Sequence, residues 1–134
     1  MKTTLNKGDS LKEAFKVKPE DCTSAIDKRL PDLLGTYTVV LWMEIVSAKL
    51  AQNSLDDKYI TVGQNINLNH IGMATIDEDI IVESTLVEQN KRTLKFTVEM
   101  RLGDELIAKA EHKRVIIPQR LIQRQIKKKN KEIL

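Results

Sequence analysis

Three side chains in this sequence have the types and spacing for shared acid–base chemistry. Thr36 follows Gly35 at the start of an apolar run, Glu44 stands about two helical turns further on, and His70 ends a later alternating segment. A carboxylate can activate water or attack a carbonyl itself, an imidazole titrates near neutral pH, and a hydroxyl can orient either group. Gly63 lies in the same segment as His70, where glycine often marks a close backbone approach to a ligand or another chain. His112, the only other histidine, follows Leu106, Ala108 and Ala110 on one strand face, where small alanines leave room for close packing or a ligand. Each residue also has a plain structural explanation. Thr36 stands where a helix N-cap belongs, Glu44 could face a polar seam or a dimer contact, and His70 could be a hydrogen-bonded structural histidine.

The elements that must hold these groups are legible from periodicity. Residues 11–17 alternate loosely and read as a first strand, followed by a polar stretch, 18–29, that reads as loop with a helical turn. Residues 37–51, YTVVLWMEIVSAKLA, are apolar on nearly every side, so this helix belongs in the interior, with Glu44 in its middle. It is too short to cross a bilayer. An unpaired carboxylate there would be costly, which implies a partner or a catalytic duty.

From residue 60 the period changes to two. Ile60, Val62, Ile66 and Leu68 fall on one face with His70, and Thr61, Asn65, Asn67 and Asn69 on the other. Residues 80–87, 94–102 and 106–117 continue the pattern, and Gly103-Asp104 reads as a two-residue hairpin with glycine at positive φ. Short polar turns favour an antiparallel meander, because parallel neighbours need long crossovers. The expected fold class is therefore α+β, a curved antiparallel sheet around one central helix. Residues 1–118 form the expected domain, and 119–134 a basic, weakly amphipathic helix or tail.

Composition narrows the function. With 41% hydrophobic and 31% charged residues, the chain is globular in composition, and 134 residues suffice for one core. Cys22 is the single cysteine, which excludes an intrachain disulfide and a Cys-rich zinc or redox site. The start shows no signal peptide or anchor, so a cytoplasmic protein without a membrane is expected. The net charge of +3 comes from the tail, where Arg120, Arg124, Lys127, Lys128, Lys129 and Lys131 gather. That tail has no aromatic residue, so base stacking is unsupported and nucleic acid is not the expected partner. Phosphate loops, nucleophile elbows and paired metal-ligating histidines are not found.

The stretches GTYTVVLWMEIVSAKLAQ, TVGQNINLNHIGMAT and NKRTLKFTVEMRLGDELIAKAEHKRVII resemble the fluoroacetyl-CoA thioesterase family of hotdog proteins. The likeness covers roughly residues 33–117, spacing included. It implies a hotdog fold, a homodimer joined edge to edge, and a catalytic set of Thr36, Glu44 and His70. It also implies substrate contacts at Gly63, and His112 matches a family histidine. The fluoroacetyl-specific enzyme carries an aromatic gate ahead of the threonine, whereas SAIDKRLPDLLG has no aromatic residue, which points to a general short or medium acyl-CoA.

The resulting expectation is hydrolysis of an acyl-CoA to the acid and CoA. Glu44 would activate water or attack, His70 would handle protons at the leaving thiolate, and Thr36 would orient the carboxylate or attacking group. No cofactor is required, CoA being part of the substrate. The alternative is a non-catalytic acyl-CoA-binding module of the same fold, acting as sensor or carrier.

Overall fold

The computed structural model describes residues 3–133; residues 1, 2 and 134, at the ends of the expected domain and tail, lie outside the described residues. Strand β1 (Ser10–Lys16) leads through two short 3-10 turns, Pro19–Asp21 and Thr23–Ala25, into helix α1 (Thr36–Gln52). Four strands follow: β2 (Tyr59–His70), β3 (Asp79–Asn90), β4 (Thr93–Leu102) and β5 (Glu105–Pro118). Helix α2 (Gln119–Ile133) comes last. All strand pairs are antiparallel in the order β1-β3-β4-β5-β2.

The expected elements are present, and one placement differs from a simple meander. β2 sits beside β5, not beside β3, and so becomes an edge strand. The 71–78 connection then runs back past the start of α1, where Leu34 N–H donates to the Ala74 carbonyl at 2.8 Å. The hairpin at Gly103-Asp104 has the expected form, with Leu102 opposite Glu105 and Gly103 at φ 58°.

Helix α1 lays one face on the sheet. Val39, Met43, Val46 and Leu50 are buried against Ile80, Phe96, Val98 and Met100 from the central strands, each such side chain worth about 1.5–3 kcal/mol of transfer free energy. Trp42 stacks on Phe15 of β1 with ring centroids 4.7 Å apart, and Ser47 pairs with Ser84 at 2.8 Å inside the core. The opposite flank is open, with Tyr37 and Leu41 exposed and Glu44 half-exposed. A helix expected to be buried all round is thus buried on one side within a single chain.

A bulge in β2 reverses part of the expected facing. The register shifts between Gly63 and Asn65, so Gln64 is the extra residue. Because Thr61 and Gly63 pair with inward Ile116 and Arg114, they face the helix, as do Ile66, Leu68 and His70 after the bulge. Ile60 and Val62, expected on that face, point to the outer side. A second bulge, at Ile107, likewise turns Leu106 away from the face of Ala108, Ala110 and His112.

Helix α2 is more amphipathic than expected. At 3.6 residues per turn, Leu121, Ile122 and Ile126 fall on one side and Arg120, Arg124, Lys127 and Lys131 on the other.

Candidate active site

The polar residues of the inner face form two clusters at different levels of α1. The first is at the helix entrance. Gly35, not Thr36, is the N-cap, and Thr36 is the first helical residue. Its hydroxyl makes no cap and shares a 2.9 Å hydrogen bond with His70 Nδ1 at the end of β2. The 3-10 turns hold this end in place. Thr38 Oγ1 donates to the Asp21 carbonyl at 2.9 Å, and the Tyr37 hydroxyl donates to the Cys22 carbonyl at 2.8 Å. Beside the Thr36–His70 pair opens a cleft of about 400 Å³ lined by Leu30, Leu33, Ile71 and Met73. The Thr36 and Tyr37 N–H groups have no intrahelical acceptor, whereas Thr38 N–H donates to the Gly35 carbonyl at 3.0 Å, and the helix carries positive partial charge toward this end.

The second cluster surrounds Glu44. Arg114, 5% exposed on the inner face of β5, donates through Nη1 to Glu44 Oε2 at 3.2 Å. Its other two nitrogens are bound as well, with Nε donating to Thr61 Oγ1 at 2.9 Å and Nη2 to the Thr61 carbonyl at 3.1 Å. A cation this deep requires such compensation, and Glu44 supplies the balancing charge. The carboxylate, whose side chain is 47% exposed, is therefore paired on one side and open on the other. It lies against Gly63, where an added Cβ would sit 3.3 Å from Oε2 and 3.4 Å from Arg114 Nη1, so any larger residue would crowd the ion pair itself.

His112 is the rear wall of this cluster. Its Nδ1 lies 2.8 Å from the Asn65 carbonyl, which can only accept, so Nδ1 carries the proton and Nε2 accepts from Arg114 Nη1 at 3.2 Å. Burial holds its pKa below the ordinary histidine value, and the Arg114 charge pushes the same way. The Asn65 hydrogen bond, second to burial, and the smaller effect of the Glu44 charge act against this. His112 thus reaches Glu44 through Arg114, in a structural position and not an open one.

The structure joins Thr36 to His70, and Glu44 to Gly63 and, through Arg114, to His112. It does not join the two sets within one chain. Thr36 and Glu44 are separated by about 12 Å of helix rise, and Gly63 and His70 by roughly 23 Å of strand. Arg114 was not singled out from the sequence. Its signal was present, because the alternation that turns His112 inward turns Arg114 inward too.

Comparisons with known proteins agree with this fold. The profile of the fluoroacetyl-CoA-specific thioesterase family matches residues 17–120. No curated protein matches the chain. Among solved structures, the chain is similar to the fluoroacetyl-CoA thioesterase FlK, with 18% identity over 93% of this chain and 97% of that one, at a TM-score of 0.85. It is also similar to a thioesterase superfamily member from Thermus thermophilus, with 18% identity over 95% and 94% of the two chains and a TM-score of 0.87. A hot-dog-like protein from Thermanaerovibrio acidaminovorans is 15% identical over 92% and 91%, with a TM-score of 0.85. At these identities the likeness establishes the hotdog fold.

Proposed function

The chain belongs to the fluoroacetyl-CoA-specific thioesterase family and is a thioester hydrolase, and on that premise we propose that it hydrolyses a small acyl-CoA to the free acid and CoA using Thr36, Glu44 and His70. The observation that carries this reading is the Glu44 carboxylate, held through Oε2 by Arg114 beside Gly63 and still half-exposed. A carboxylate anchored in this way is oriented for use as a base or nucleophile.

In this reading the site is completed by a second copy. β2 is an unpaired edge, and the open flank of α1 beside it presents Tyr37 and Leu41 together with Glu44. Antiparallel pairing of two β2 strands centred between Ile66 and Asn67 sets the His70 end of each opposite Gly63 of the other. The Thr36–His70 pair of one subunit then meets Glu44 of its mate, and the long separation within one chain is bridged.

Glu44 takes a proton from water as it attacks the thioester carbon, or attacks that carbon itself and is later released by water. The unpaired N–H groups at the start of α1 stabilise the oxyanion. Collapse breaks the carbon–sulfur bond, and His70, oriented through Nδ1 by Thr36, protonates the thiolate, leaving acid and free CoA. The stretch ahead of Thr36 carries Leu30 and Leu33 and no aromatic ring at the cleft, which supports a general short or medium acyl group over a fluorinated one.

The test is thiol release from a panel of acyl-CoAs, run with Glu44→Gln alongside. The wild type should release CoA, and the variant should be slower by about 10²- to 10⁴-fold. Equal rates, or an inert wild type that still binds acyl-CoA, would reject the catalytic assignment. Sedimentation should give a dimer.

A further inference from the structure

Helix α2 lies almost wholly beyond the residues that match the family. Its first residue is fastened to the start of β2, with Gln119 N–H donating to the Lys58 carbonyl at 2.8 Å. Between these two starts opens a cleft of about 590 Å³, lined by Asp57, Lys58, Tyr59, Gln119, Arg120 and Gln123. Its size falls in the range of small-ligand sites. Its chemistry is that of a phosphorylated nucleoside. Lys58 and Arg120 supply an ammonium and a guanidinium for phosphate, and Gln119 and Gln123 supply amide donors. Tyr59 offers a ring for a base, and Asp57 an acceptor for an exocyclic amine. Beyond Arg120, α2 continues with Arg124, Lys127, Lys128, Lys129 and Lys131 and no acid before Glu132, so the field over the cleft is positive.

The position of the cleft relative to Glu44 adds a second argument. Tyr59, Thr61 and Gly63 follow one another on the inner face of β2, and Tyr59 stands about 13 Å from Gly63 at the usual strand rise. Gln52 on α1 donates to the Tyr59 carbonyl at 2.9 Å, and the half-buried Ala48 lies between Gln52 and Glu44 on the same flank. A small, half-buried side chain therefore flanks the stretch between the reactive carboxylate and the cleft. An extended pantetheine arm spans such a distance.

We propose that the cleft between the starts of β2 and α2 holds the phosphorylated adenosine end of coenzyme A, with Lys58 and Arg120 on its phosphates and Tyr59 against its adenine. The proposal rests on the thioesterase reading and adds the recognition of the substrate's handle. α2 is then a substrate-recruiting element and not a solvated tail.

The experiment compares acyl-CoA with the acyl-pantetheine thioester of the same acyl group, in wild type and in the double variant Lys58→Glu, Arg120→Glu. Wild type should favour acyl-CoA in kcat/KM by roughly a hundredfold, about tenfold for each charge-assisted contact. The variant should lose most of that advantage through KM, with kcat on acyl-CoA kept, and added salt should erode the wild-type advantage in the same direction. Calorimetry with adenosine 3′,5′-bisphosphate reads the cleft without catalysis, with binding expected in wild type and lost in the variant. Hydrolysis with no preference for acyl-CoA, or a preference the variant keeps, overturns the proposal. If neither thioester is hydrolysed, the thioesterase reading fails, and calorimetry decides the cleft alone: nucleotide binding lost in the variant upholds it, and no binding overturns it.

Discussion

The two polar clusters on the inner face are built on opposite physical terms. At the helix entrance, Thr36 and His70 share one hydrogen bond beside an open cleft, and nothing charged is locked in place. About two turns along, Arg114 is buried with its donors shared among Glu44, Thr61 and His112, and no buried side-chain polar atom among the described residues lacks a partner. The first arrangement can adjust when substrate or a second subunit arrives. The second is fixed by the cost of leaving a buried cation unpaired. An enzyme working by this pair would keep its attacking carboxylate on the rigid cluster and its proton donor on the adaptable one.

The sharpest way to break that contrast is Arg114→Met. Removing the cation strands the His112 lone pair and the Thr61 hydroxyl and releases Glu44 from its anchor. Urea unfolding should show a loss of about 3 kcal/mol. A loss under about 0.5 kcal/mol, the range of an ordinary surface change, would mean that the cluster is not fixed in the way described.

Thr36 should behave in the opposite manner. Its hydroxyl caps nothing, so Thr36→Ala should leave unfolding within about 0.5 kcal/mol of wild type. Thioester hydrolysis should fall by roughly 10- to 100-fold as His70 loses its orienting contact. Thr36→Ser should restore most of the rate. A serine variant as slow as alanine would show that the hydroxyl is not what positions His70.

The smallest expected effect is a pH slope. His112 has a folded pKa below its ordinary value, chiefly through burial. Below about pH 6.5 the unfolded chain takes up a proton that the folded one resists, so the unfolded state binds more protons and stability falls as pH falls. The loss begins near pH 6.5 and runs down through the lower folded value. Stability measured between pH 7 and pH 5 should therefore decline more in wild type than in His112→Gln. Parallel slopes would remove His112 from the account.

Much of this was readable beforehand, for identifiable reasons. The alternation of Leu94, Phe96, Val98 and Met100 and the turn at Gly103-Asp104 are local properties, and they located β4 and the hairpin correctly. The apolar run around Trp42 gave α1 within a residue at each end. Other readings failed where a local rule met a nonlocal one. Ile60 and Val62 share parity with Ile66 and Leu68 in the sequence, and only pairing with β5 shows that Gln64 is an extra residue that flips them. Thr36 has the composition of a cap, yet Gly35 takes that position, which frees the hydroxyl for His70. Glu44 stands in the middle of an apolar run that reads as core, yet the open flank beside edge strand β2 makes it half-exposed.

By itself the sequence determined the element types, their order and the residues able to do chemistry, because hydrophobic period, turn preference and side-chain acidity belong to short stretches of chain. Only the tertiary structure decided which of those residues meet. Register, bulges and strand order depend on partners far away in the chain, and a shift of one residue sends a side chain to the opposite face of the sheet. That is why Arg114, unremarked within AEHKRVII, proves to be the anchor of Glu44.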